Sequence, residues 1–172
     1  MVNTDYKINA LGLLLSADCL SERYHPLISC RDALIEGLCR LGCKTKNDAA
    51  ALSDDELRGI GLCDDGMIRL LRRFLTIYDP SPAKFREIDK LTSNEAERTS
   101  YRELYCLPGV KAVRARLYCL SGFRTIRDVA AASEKEILER TARAIAENGL
   151  DCIVPLPKEV RTHVAVAKAF VM

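Results

Sequence analysis

Two stretches of this chain repeat each other eighty residues apart. Leu41 to Ser53 aligns without a gap with Ser121 to Ser133. Gly42 meets Gly122, Thr45 meets Thr125, Asp48 meets Asp128, Ala50 and Ala51 meet Ala130 and Ala131, and Ser53 meets Ser133. Glu56 and Glu136 continue the match, and Cys39 and Cys119 precede it. A repeat restricts the fold, because each copy must be one supersecondary unit that buries its apolar face against neighbours.

The shared residues have local work to do. Gly42 and Gly122 each follow an apolar run, where a helix ends best on a residue in the left-handed region. Thr45 and Thr125 are N-cap residues for a short helix, with Asp48 and Asp128 as the returning acids. Ser53-x-x-Glu56 and Ser133-x-x-Glu136 read as capping boxes for the helix after that. Each copy therefore predicts a helix, a glycine stop, a short helix and a capped helix.

The surrounding periodicity is helical too. Met67, Leu70, Leu71, Phe74 and Leu75 fall at helical spacing, with Arg69, Arg72 and Arg73 on the other side. Ile137, Leu138, Thr141 and Ile145 form the matching stripe in the second copy, with Arg140 and Arg143 outside. Ile8 to Leu20 predicts a helix followed by a turn at His25-Pro26, and Pro157 opens a last helix through Val160, Val164, Ala167 and Val171. Tyr78-Asp79-Pro80-Ser81-Pro82 reads as a linker, followed by a polar connecting helix or two with Thr92-x-x-Glu95 as a capping box. No stretch alternates with period two. The fold class expected is all-α, with a unit at 1–78, a linker and connecting helix at 79–104, and a unit at 105–172.

Charge and cysteine content narrow the function. Lys and Arg total 26 against 24 Asp and Glu, a formal charge of +2. A nucleic-acid partner would have to meet locally concentrated charge. No run of about 18 apolar residues exists, and Leu11 to Leu15 lacks the flanks of a signal peptide, so no membrane segment is expected. The eight cysteines, at 19, 30, 39, 43, 63, 106, 119 and 152, contain no Cys-x-x-Cys pair. They read as reduced packing residues of a cytoplasmic protein rather than metal ligands, with Cys106 partly exposed beside a loop.

Leu107-Pro108-Gly109-Val110, followed through Ala115 to Gly122-Phe123-Arg124-Thr125, resembles the helix-hairpin-helix superfamily. Gly109 fits the first loop glycine, Val110 the apolar residue and Ala115 the small packing residue, while Lys111 stands where a second glycine is usual. Gly37 to Phe74, with the loop Gly59-Ile60-Gly61-Leu62, is similar to the C-terminal domain of the bacterial RNA polymerase α subunit, itself built of such hairpins. The resemblance implies SAM-like helical hairpin bundles that bind DNA backbone, bind protein, or serve as packing modules.

The residues around Gly109 carry the functional argument. Five bases and no acid lie between Cys106 and Arg127: Lys111, Arg114, Arg116, Arg124 and Arg127. Backbone N–H groups from Val110 to Ala112 would meet a phosphate while Lys111 and Arg114 supply charge. Such contacts hold phosphates without reading sequence. The candidate nucleic-acid-binding residues are thus Gly109, Val110, Lys111, Arg114, Arg116 and Arg124. Asp64 and Asp65 follow the first loop, where carboxylates would fill the same donors. The two histidines, His25 and His163, have neither metal-ligand spacing nor a nucleophile motif, and read as a turn and a packing residue. The expectation is a non-enzymatic protein with no cofactor and no metal that binds nucleic acid. The rival is a protein-interaction or self-association module using the same helices, with the Val160–Met172 helix completing a neighbour's core.

Overall fold

Asp48 and Asp128 hold the same two amides in their respective copies. Asp48 accepts from the N–H groups of Lys44 and Thr45 at 2.8 and 2.9 Å. Asp128 accepts from Arg124 and Thr125 at 2.9 and 2.8 Å. The computed structural model in which this is seen describes residues 4–16, 22–62, 64–79 and 82–172. Its α-helices, in chain order, are α1 (Leu11–Leu14), α2 (His25–Ser29), α3 (Arg31–Arg40), α4 (Lys46–Ala51), α5 (Asp54–Gly59), α6 (Asp65–Thr76), α7 (Pro82–Asp89), α8 (Glu95–Leu104), α9 (Ala112–Leu120), α10 (Ile126–Ala131), α11 (Glu134–Asn148) and α12 (Pro157–Val171). The protein is all-α: among the described residues the nearest thing to a strand is an isolated bridge between Lys7 and Thr45.

The repeat is preserved bond for bond at its start. Gly42 and Gly122 have φ of +81° and +85°. Their N–H groups donate to Cys39 and Cys119, and the next residues donate back into the helix, Cys43 to Leu38 and Phe123 to Tyr118. This six-to-one and five-to-two pairing is the Schellman stop. Thr45 and Thr125 then close complete capping boxes on α4 and α10. The copies part at the second box. Ser53 and Glu56 close theirs, whereas the Glu136 amide still donates to the Ser133 hydroxyl at 3.1 Å but its carboxylate pairs with Arg140 at 3.0 Å instead of returning to the cap.

Beyond that point the helices differ for a visible reason. Gly59 and Gly61 break the first copy into α5 and α6, while Glu139 and Thr141 let α11 run on to Asn148. The hairpin between α5 and α6 therefore has no counterpart in the second copy. The turn at Leu107–Val110 in turn corresponds to α2 in the first.

Several sequence expectations are corrected. His25 and Pro26 start α2 instead of making a turn, since proline loses no hydrogen bond in a first helical turn. The helix predicted from Ile8 is a 3-10 turn at Ile8–Ala10 followed by α1, and its continuation to Leu20 lies outside the described residues. Pro80 and Ser81 of the expected linker also lie outside them. Asn94, not Thr92, caps α8, accepting from Ala96 and Glu97, while the Thr92 hydroxyl donates to Glu97. Cys106 is buried and Cys39 is exposed, the reverse of expectation. Cys19 and Cys63 lie outside the described residues.

The last helix ties the ends of the chain together. α12 packs on α10, α1 and α11. Its Phe170 ring meets Tyr6 and Tyr78 at centroid distances of 6.1 and 5.8 Å, and Lys7 Nζ donates to the Met172 carbonyl. Lys46, buried at the start of α4, pairs with Asp79 beyond α6. No helix among the described residues is long and apolar enough to cross a membrane.

Candidate nucleic-acid interface

The loop between α8 and α9 follows from two residues. Pro108 and Gly109 are the central pair of a four-residue turn closed by the Val110 N–H on the Leu107 carbonyl at 3.2 Å. Gly109 has φ of +74°, which fits proline-then-glycine in a type II turn. Leu107 and Val110 are buried and anchor the loop, while Gly109 is exposed with nothing near the position of its missing side chain. The Val110 amide, predicted as a phosphate donor, is thus already spent within the turn.

The turn is held from behind by α12. His163 Nε2 lies 2.8 Å from the Pro108 carbonyl, and Nδ1 lies 2.6 Å from the Tyr118 hydroxyl. A carbonyl only accepts, so Nε2 carries the proton and Nδ1 receives the hydroxyl of Tyr118. Burial holds the imidazole down to about 4, so it is neutral at ordinary pH. Burial likewise pushes the Tyr118 hydroxyl up.

Beyond the turn, α9 begins open. Lys111 is its N-cap and makes no side-chain cap bond, and the first turn contains no acid. The first backward bond is from the Ala115 N–H to the Lys111 carbonyl, so the amides of Ala112, Val113 and Arg114 precede it. The contrast with α6 is direct. There Asp64 accepts from Gly66 and Met67, and Asp65 pairs with Arg58 at 2.7 Å, so the first hairpin supplies its own anion.

The bases do not gather at one point. Lys111 is exposed beside the open turn. Arg114 turns inward, donating to the Ile153 carbonyl at 2.9 Å and pairing with Glu159 at 3.4 Å, with only 15% of its side chain exposed. Arg116 is exposed and near enough to Tyr101 to act on its hydroxyl electrostatically. Arg124 stands at the rim of a cleft of about 260 Å³ between α8 and α9, lined by Glu97, Tyr101, Cys119 and Leu120. Burial pushes the Cys119 thiol up to about 12, so it stays protonated at neutral pH. Arg127 faces a different groove, beside Lys168.

Sequence reasoning missed three partners. Glu159 holds both Arg114 and the Leu156 amide at the start of α12. Glu103 accepts from the Ile126 amide at 2.8 Å, bringing an acid against the acid-free segment. His163 reads from the sequence as a packing residue, because its partner in the loop lies 55 residues earlier. Comparison of the chain with protein-family models, with curated proteins and with solved structures finds no match.

Proposed function

We propose that this is a non-enzymatic cytoplasmic protein that binds nucleic acid through phosphates at the α8–α9 hairpin, without reading base sequence. One observation carries the reading: the first turn of α9 has no side-chain cap and no acid, and it opens beside the exposed Gly109 and Lys111. Amides at a helix N-terminus favour an anion through both their hydrogen bonds and the helix dipole. The helix-hairpin-helix resemblance of Leu107 to Thr125 agrees with that use. Lys111 supplies the charge at the turn, and Arg116 and Arg124 extend it along the α8–α9 side. Arg114 serves the fold instead.

A second reading rests on its own observation. Val113, Ile153 and Leu156 are 62%, 73% and 60% exposed, and Arg114 links the segment of Ile153 to α9. Apolar side chains so exposed beside the hairpin fit a protein contact or self-association.

Fluorescence anisotropy of labelled duplex DNA separates the two. The phosphate reading gives weak binding that is indifferent to sequence and falls with salt at a log–log slope of about −2 to −3, as two or three phosphates require. Lys111→Glu abolishes it. No binding at low salt, with concentration-dependent association of the protein, overturns it in favour of the second reading.

A further inference from the structure

A second surface is formed where α10 of the second copy meets α1 and α12. Arg127, Ala130 and Ala131 share one face of α10 at helical spacing, and Lys168 and Val171 do the same on α12, with Met172 next to them just past its end. Together with Leu13 of α1 they line an open groove of about 380 Å³. Val171 and Met172 are exposed, so the groove presents apolar surface to water. Arg127 and Lys168 are also exposed, and neither makes an ion pair among the described residues.

We propose that this groove receives an amphipathic helical segment of a partner protein, with carboxylates flanking an apolar stripe. Two alanines form part of the floor, which lets a helix backbone approach closely, and the open trough suits a helix better than an enclosed small molecule. One cation stands on each of the two helices, which calls for acids on the incoming segment. Arg127 is the more telling of the two. It lies in the first turn of α10, where the helix dipole disfavours a cation, so helix stability does not explain it. Lys168 lies in the last turn of α12, where a cation is at home. The first copy differs here: Asn47 stands in place of Arg127, and its amide donates to Asp5. This surface is separate from the Gly109 turn, and the inference stands without the phosphate reading.

Calorimetric titration of the full chain tests it with three probes. These are a synthetic helical peptide with a leucine stripe flanked by glutamates, the same peptide flanked by lysines, and decanoate. The glutamate peptide binds about tenfold more tightly than the lysine peptide, a difference of about 1.4 kcal/mol. Arg127→Glu with Lys168→Glu lowers its affinity at least about tenfold, Lys111→Glu leaves it unchanged, and circular dichroism shows both variants folded. Filling the floor with Ala131→Trp also blocks it. Equal binding of both peptides, no binding of the glutamate peptide, or binding of decanoate alone with the same dependence on Arg127 and Lys168 overturns the proposal.

Discussion

The Tyr118 hydroxyl donates to Nδ1 of His163 across 2.6 Å in the interior of the protein, and the other ring nitrogen holds the carbonyl of Pro108. A residue of α9, a residue of α12 and the α8–α9 turn are thereby joined through one imidazole. Tyr118→Phe leaves Nδ1 buried without a donor and costs about 1–3 kcal/mol. His163→Leu strands both the hydroxyl and the Pro108 carbonyl and costs roughly 2–4 kcal/mol. Urea unfolding measures both. Hydrogen exchange at the Val110 amide quickens in the histidine variant, because the turn loses its rear support.

The same imidazole gives the stability a pH dependence of known sign. His163 titrates near 4 in the folded protein, against about 6.5 when unfolded. Between those values the unfolded chain binds the extra proton, so the stabilisation is complete above about pH 6.5 and is lost as the pH falls through 4. The loss amounts to about 3 kcal/mol. The stability difference between the wild type and His163→Gln therefore shrinks between pH 7 and pH 4. A difference that stays flat contradicts the assignment.

Gly42 and Gly122 occupy the same backbone conformation in different surroundings. Alanine at either meets the left-handed penalty of about 1–2 kcal/mol. At Gly42 the added carbon has free space, while at Gly122 it collides with the Arg140 guanidinium, which lies 4.2 Å over the Phe123 ring. Gly122→Ala is thus worse than Gly42→Ala by about 0.5–1 kcal/mol, the value of that cation–ring contact. Thermal unfolding of both variants, and of each combined with Arg140→Ala, isolates the excess to the Gly122 site.

Under the phosphate proposal, Lys111 supplies charge and Arg114 serves as scaffold. Arg114→Ala removes the bond to the Ile153 carbonyl and the pair with Glu159, and lowers stability by about 1–3 kcal/mol. Its effect on DNA affinity is smaller than that of Lys111→Glu, which leaves stability nearly unchanged. Parallel denaturation and anisotropy measurements check the split.

What could be read from the chain was local. The caps at Thr45, Thr125, Ser53 and Ser133, the glycine stops and the helical class all depend on residues within a few positions of one another, and they are found, with only the Glu136 return to Ser133 missing from the repeat. The competition between Thr92 and Asn94 for the start of α8 was also local, and the stronger cap residue won. What could not be read depended on distance. Arg114 looked like a free cation because Glu159 is 45 residues away. Cys106 looked exposed because nothing nearby in sequence reports how tightly the hairpin packs. The arrangement of the five bases could not be inferred either, since it follows from how α12 returns to the hairpin.

Phosphate binding by this protein requires that the amides opening α9 receive the anion. An amide-resolved NMR titration of the full chain with a short duplex DNA at low salt tests it most directly. A phosphate seated there shifts the amides of Gly109, Lys111, Ala112 and Val113 first and together, leaves Val110 nearly still because its N–H is already bonded, and loses these shifts in Lys111→Glu. Shifts confined to other helices, or none at all at these four amides, would contradict it.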